Sequence, residues 1–81
     1  MTSRDVAQDR LVVIRVTGMH SYQCEKTIEK ALIRFPGVHE AEIDFASGLA
    51  SVLYDGQTVT VGELMRAVSE AGYCAVKFSE R

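Results

Sequence analysis

The sequence predicts an α+β domain with the element order β-α-β-β-α-β, a four-stranded antiparallel sheet with two helices on one face. Three observations predict it. β-branched or alternating runs occur near the start, twice in the middle and at the end of the chain. Two stretches with helical apolar spacing separate them, and every junction between the runs carries a glycine. At 81 residues, 47% of them apolar, the chain can fill one core and has no length for a second.

The elements follow in order. Leu11–Thr17 reads Leu-Val-Val-Ile-Arg-Val-Thr, a β-branched strand bounded by Gly18. From Ser21 to Phe35, Cys24, Ile28, Ala31, Leu32 and Phe35 lie on one helical face. Pro36-Gly37 ends that helix, because Pro36 cannot continue the hydrogen-bond ladder. In Val38–Phe45, Ala41, Ile43 and Phe45 alternate with Glu40, Glu42 and Asp44, the pattern of a half-exposed strand. A turn at Ala46-Ser47-Gly48 leads back into the strand Leu49–Tyr54. Thr60-Val61-Gly62-Glu63 has capping-box spacing and opens a helix whose predicted buried stripe is Leu64, Met65, Val68 and Ala71. Gly72 closes it, and Tyr73–Phe78 is the last strand. Two right-handed βαβ halves of this kind make a ferredoxin-like sandwich. Residues 1–10 are expected to be a flexible lead-in, 11–78 the domain and 79–81 a short tail.

Composition excludes several roles. A net charge of −2 gives no footprint for nucleic acid or an anionic membrane surface. No apolar run approaches the ~20 residues that span a bilayer, so no membrane segment is expected in this chain. The polar N-terminus lacks the apolar stretch of a signal peptide, which predicts a cytoplasmic, reducing setting with Cys24 and Cys74 as thiols. No Cys/His/acid constellation or carboxylate pair converges, so the chain is not expected to be an enzyme.

The chemistry concentrates in Gly18-Met-His-Ser-Tyr-Gln-Cys24, between the first strand and the first helix. Cys24 falls at a helix N-terminus, where unpaired N–H groups and the helix dipole favour a thiolate. Two cysteines three apart at such a place would grip one soft ion; two thiolates suit copper(I), and additional donors suit zinc or another soft divalent metal. Here the first of those positions is Ser21, whose neutral hydroxyl is a hard, weak donor.

The chain resembles the heavy-metal-associated domain family, found in copper chaperones and in the N-terminal domains of metal-transporting P-type ATPases. The family motif is Gly-Met-x-Cys-x-x-Cys; Gly18, Met19 and Cys24 match and Ser21 departs. Phe35-Pro36-Gly37-Val38, Tyr54-Asp55 and Glu70-Ala71-Gly72-Tyr73 extend the resemblance over residues 11–78. The resemblance implies copper(I) as cargo and Cys24 as the surviving ligand, with Ser21 in the other ligand position. It implies that Met19 turns inward to prop the loop and that Tyr73 stands beside the metal site. It also implies a metal-transporting ATPase or metallochaperone domain as partner.

Other donors can complete the set. The family fold places the loop before the last strand beside the metal loop, which makes Cys74 a candidate. Strand alternation argues the reverse: if Tyr73 faces the site, Cys74 faces away. His20 is an imidazole donor at a position variable in the family. Ser21 is otherwise a helix N-cap, and His39 reads as a surface residue. A metal-bridged homodimer through two Cys24 thiolates is a further route. Lys26, Lys30 and Arg34 recur along one helix side, as a solvated face or a dock for an acidic partner. Two functional readings stand: a soft-metal binding or transfer module with an altered loop, and a regulatory or protein-interaction domain of the same fold that has lost tight metal capture.

Overall fold

The computed structural model describes residues 9–80. It contains β1 (Asp9–Thr17), α1 (Tyr22–Ile33), β2 (Val38–Asp44), β3 (Leu49–Asp55), α2 (Val61–Glu70) and β4 (Cys74–Glu80), in the expected order. The strands form one sheet in the order β2-β3-β1-β4, with every neighbouring pair antiparallel. The two central strands are therefore β1 and β3. Their alternate residues Val12, Ile14 and Val16, and Ala50, Val52 and Tyr54, point to the helix side and are buried. Ile28 and Leu32 of α1 and Leu64, Ala67 and Val68 of α2 close the core over them. Each large side chain buried there contributes about 1.5–3 kcal/mol.

The element boundaries differ from the sequence reading in physically informative ways. β1 starts two residues before Leu11, and β4 continues past Phe78 to Glu80. The expected lead-in lies mostly outside the described residues, but Asp9 and Arg10 already pair with Asp55 and Tyr54. α1 stops at Ile33, with Arg34 as its C-cap. Pro36 biases the preceding residue away from helical dihedrals, so the last turn is lost. Phe35 still packs, half-buried, against the core. On α2 Leu64 and Val68 are buried as expected and Met65 is half-buried, but Ala67 completes the buried stripe in place of Ala71, which is the C-cap and only half-buried. The capping box forms: the Glu63 N–H donates to Thr60 Oγ1 at 3.2 Å, and the Thr60 N–H donates to Glu63 Oε1 at 2.9 Å.

Three connections gather at one end of the sheet: residues 18–21, the β2–β3 turn, and Gly72-Tyr73. The Val16 N–H donates to the Gly48 carbonyl at 2.8 Å and ties the end of β1 to the β2–β3 turn. Glu25 strengthens the tie, since its carboxylate accepts the Phe45 N–H at 2.7 Å.

Gly37, after α1, is the glycine least open to change. Its φ is +104°, and an added Cβ would lie 2.8 Å from Thr58 Cβ and 3.0 Å from Val59 Cγ2. Gly72 has a similar φ of +102° with nothing within 4 Å of the same position. Gly72→Ala therefore carries backbone strain alone, and Gly37→Ala carries strain plus collision. In thermal unfolding, Gly72→Ala should cost on the order of 1 kcal/mol and Gly37→Ala clearly more. Equal melting temperatures for the two variants would contradict this packing.

Candidate metal site

The site is built on the start of α1. Ser21 is the N-cap residue, in extended backbone with φ −161° and ψ 167°. Its side chain makes no capping bond, which corrects the expected role. Instead the Ser21 carbonyl accepts the Cys24 N–H at 3.0 Å, and Ser21 Oγ lies 3.8 Å from Cys24 Sγ. Hydroxyl and thiol thus face each other across the first turn. That contact takes the hydroxyl away from the helix N–H groups.

Cys24 is 4% exposed, so its thiol is covered, although it sits in the outermost turn of the helix at the edge of the domain. Its pKa is lowered from 9.0 to about 7. The largest cause is a hydrogen bond with the Tyr73 hydroxyl, and the next is one with the backbone of His20. Desolvation opposes the shift, and the Ser21 backbone and hydroxyl add to it. Hydrogen bonds to the charged form win over burial at this shallow depth. The same contact raises the pKa of Tyr73, whose hydroxyl is less willing to ionise beside a thiolate.

Tyr73 packs half-buried against the core and crosses the loop, with its Cδ1 3.7 Å from where a Gly18 side chain would begin. Met19 turns inward and packs against the core. His20 is exposed at the tip of the loop, and its side chain makes no hydrogen bond among the described residues. Tyr22 is 74% exposed and meets Phe45 edge-on, with ring centroids 5.5 Å apart.

Cys74 stands apart. It pairs with Thr17 across the β1–β4 ladder, so the two share a face. Thr17 follows inward-facing Val16, which puts that face on the side away from the helices. Cys24 lies on the helix side. Both thiols are free, Cys24 covered and Cys74 exposed. His39 is at the other end of the domain, 3.1 Å from Asp9 Oδ1. Among the described residues no group of three or more His, Cys, Asp or Glu side chains is arranged to hold a metal. Glu25 was not singled out from sequence. Its position in the first turn of α1 was a visible signal, but its acceptor role required knowing where Phe45 lies.

The arrangement defines a class: a βαββαβ sandwich with an acidified thiol in the first turn of the helix that follows β1. The chain belongs to the heavy-metal-associated domain family, whose sequence profile matches residues 13–73. It is 38% identical over 68 residues to the mercuric transport protein periplasmic component of Shewanella putrefaciens, covering 84% of this chain and 75% of that protein. It is 34% identical to the copper chaperone CopZ of Staphylococcus aureus, covering 79% of this chain and 94% of that one. A 34% match to the probable copper-transporting ATPase HMA5 of Arabidopsis thaliana spans 75% of this chain but 6% of that protein. Among solved structures, a copper binding domain from HMA7, a P-type ATPase, aligns with a TM-score of 0.85 at 28% identity, over 89% of this chain and 97% of that one. The CopZ metallochaperone aligns at 0.80 with 32% identity, over 82% and 98%.

The pKa shift sets a pH response. Between pH 7 and 9 the unfolded thiol binds more protons than the folded one, so the Cys24 contribution to stability grows as pH rises and is lost as pH falls through about 7. In a Cys74→Ala background, thiolate absorbance should titrate near pH 7, and Tyr73→Phe should move the midpoint upward. A midpoint near 9 in the parent, unmoved by Tyr73→Phe, would refute the hydrogen-bonded thiolate.

Proposed function

We propose that this chain is a soft-metal binding and transfer domain that holds its ion through one protein thiolate, Cys24, with copper(I) the preferred cargo. The observation that carries the reading is a thiol acidified to about 7 at the family's loop position. A thiolate ready at neutral pH is the donor a soft ion selects. Names of relatives support the cargo: copper chaperones, copper ATPases and a mercuric transport component. The mercuric relative leaves room for zinc or another soft divalent ion.

One thiolate does not saturate even a two-coordinate ion. Ser21 faces Cys24 from the other ligand position but supplies a neutral hydroxyl, better suited to donating a hydrogen bond than to ligating. His20, exposed on the loop, is the intrachain donor that we favour. Cys74 is disfavoured because its strand register turns it to the opposite face. A missing donor is also what a transfer site needs. A metal-transporting ATPase or metallochaperone domain would bring its own thiolates, and the ion would pass by ligand exchange at the exposed loop. A second Cys24 bridging two chains is the alternative source. Two free cysteines suit a reducing compartment; we therefore propose the cytoplasm, although one relative is named as periplasmic.

A second reading, an interaction domain without tight capture, is favoured by the same Ser21–Cys24 contact. Anaerobic competition titrations with copper(I) and zinc(II) decide between them. Cys24→Ala should abolish binding, and Ser21→Cys should raise copper(I) affinity by about 100-fold or more, equivalent to at least ~2.8 kcal/mol. A bridged dimer would show one copper per two chains. Unchanged affinity in Cys24→Ala would end the metal-transfer reading.

A further inference from the structure

The face of the sheet turned away from the helices has a charge pattern that the metal loop does not explain. The ladder registers arrange its side chains in rows. One row crosses all four strands as Asp44, Leu49, Arg15 and Lys77, since Asp44 pairs with Leu49, Leu49 with Arg15, and Arg15 with Lys77. The next is Glu42, Ser51, Val13 and Ser79, and a third begins Glu40, Leu53 and Leu11. Directly opposed residues of a ladder share a face, so these rows lie on one surface. Acids line its β2 edge, half-buried apolar residues fill its middle, and cations stand on its β4 side.

Two features mark this surface as incomplete. Arg15 and Lys77 are like charges placed directly opposite, a destabilising pairing. Neither they nor Glu40, Glu42 and Asp44 form an ion pair within 4.0 Å among the described residues. Asp44 uses one carboxylate oxygen to accept the Ala46 N–H at 3.1 Å, and its second oxygen is unengaged among the described residues.

We propose that this open sheet face is a self-association surface, and that its occupant is a second copy of the same chain. A two-fold axis lying between the sheets and parallel to the strands carries β2 of one copy over β4 of the other. It keeps each row at its own height. Asp44 of each copy then meets Lys77 of its partner, Leu49 covers Arg15, and the Val13 rows stack. Stacked sheets sit about 10 Å apart and rotate by roughly 30°, which long lysine and arginine side chains can follow. The contact would relieve the Arg15–Lys77 repulsion and cover the apolar centre. A single four-stranded face with strands ~4.8 Å apart is smaller than the ~800 Å² per partner of a stable complex. The association is therefore weak, electrostatically guided and weakened by salt. It is independent of Cys24, which lies on the helix side, and it stands whether or not the metal-transfer reading does.

The test is a dilution series of metal-free protein at low salt, followed by amide NMR and sedimentation velocity. Concentration-dependent shifts should cluster at residues 11–15, 40–44, 49–53 and 77–79, and shrink as salt rises. Cys24→Ala should behave as the parent. Lys77→Glu alone and Asp44→Lys alone should each lose the association, because each creates like-charge contacts in a homodimer. Mixing the two variants should restore it, since both contacts become opposite in sign. The mixture also controls for folding, because an unfolded variant would restore nothing and its amide spectrum would collapse. Monomeric parent protein across the series, shifts on another surface, or self-association of Lys77→Glu equal to the parent would each overturn the proposal.

Discussion

The structure depends on the burial of one face of the two central strands. Val12, Ile14 and Val16 of β1 lie beside Ala50, Val52 and Tyr54 of β3, all at most 3% exposed. They form the floor on which both helices sit. Loss of register by one residue would turn this floor outward and expose every side chain in it. The Gly18–Cys24 segment inherits its position from this constraint. It begins two residues after Val16, Met19 anchors it to the same core, and Ile28 and Leu32 hold the helix that carries Cys24.

Cys24 shows how a shallow site acquires reactive character. Complete burial in apolar surroundings would push its thiol up. Here the surrounding groups are donors: the Tyr73 hydroxyl, the backbone of His20 and Ser21, and the Ser21 hydroxyl. Their sum outweighs desolvation, helped by a position at the positive end of α1. Ser21 thus has a double effect. It removes a soft donor from the place the family uses for one, and its hydroxyl adds the smallest of the hydrogen bonds that lower the pKa of the remaining thiol.

The sheet keeps its two faces chemically distinct. The helix side carries the core and the thiol at its end. The open side carries charge, acids along β2 and cations near β4, ordered by the ladder registers. Strand alternation enforces this division, and it also separates Cys74 from Cys24. Two thiols at one end of so small a domain therefore serve different surfaces.

Sequence alone determined the element order, the sheet-and-helix class, the capping box at Thr60 and the placement of Cys24 at the N-terminus of the first helix. Each rests on local information: side-chain periodicity, glycine and proline at junctions, and short-range hydrogen bonding. The inward turn of Met19 and the place of Tyr73 were legible only through family resemblance. Tertiary structure decided the rest. The choice of Ala67 over Ala71 depended on where α2 met the sheet. The side of the sheet that Cys74 faces depended on its pairing with Thr17 across a ladder containing a bulge. The Ser21 side chain turned to Cys24 within one helical turn instead of to the helix N–H groups, and Glu25 found Phe45 because those two segments meet only when the chain packs. Periodicity states which residues share a face; only the assembled sheet states what that face meets.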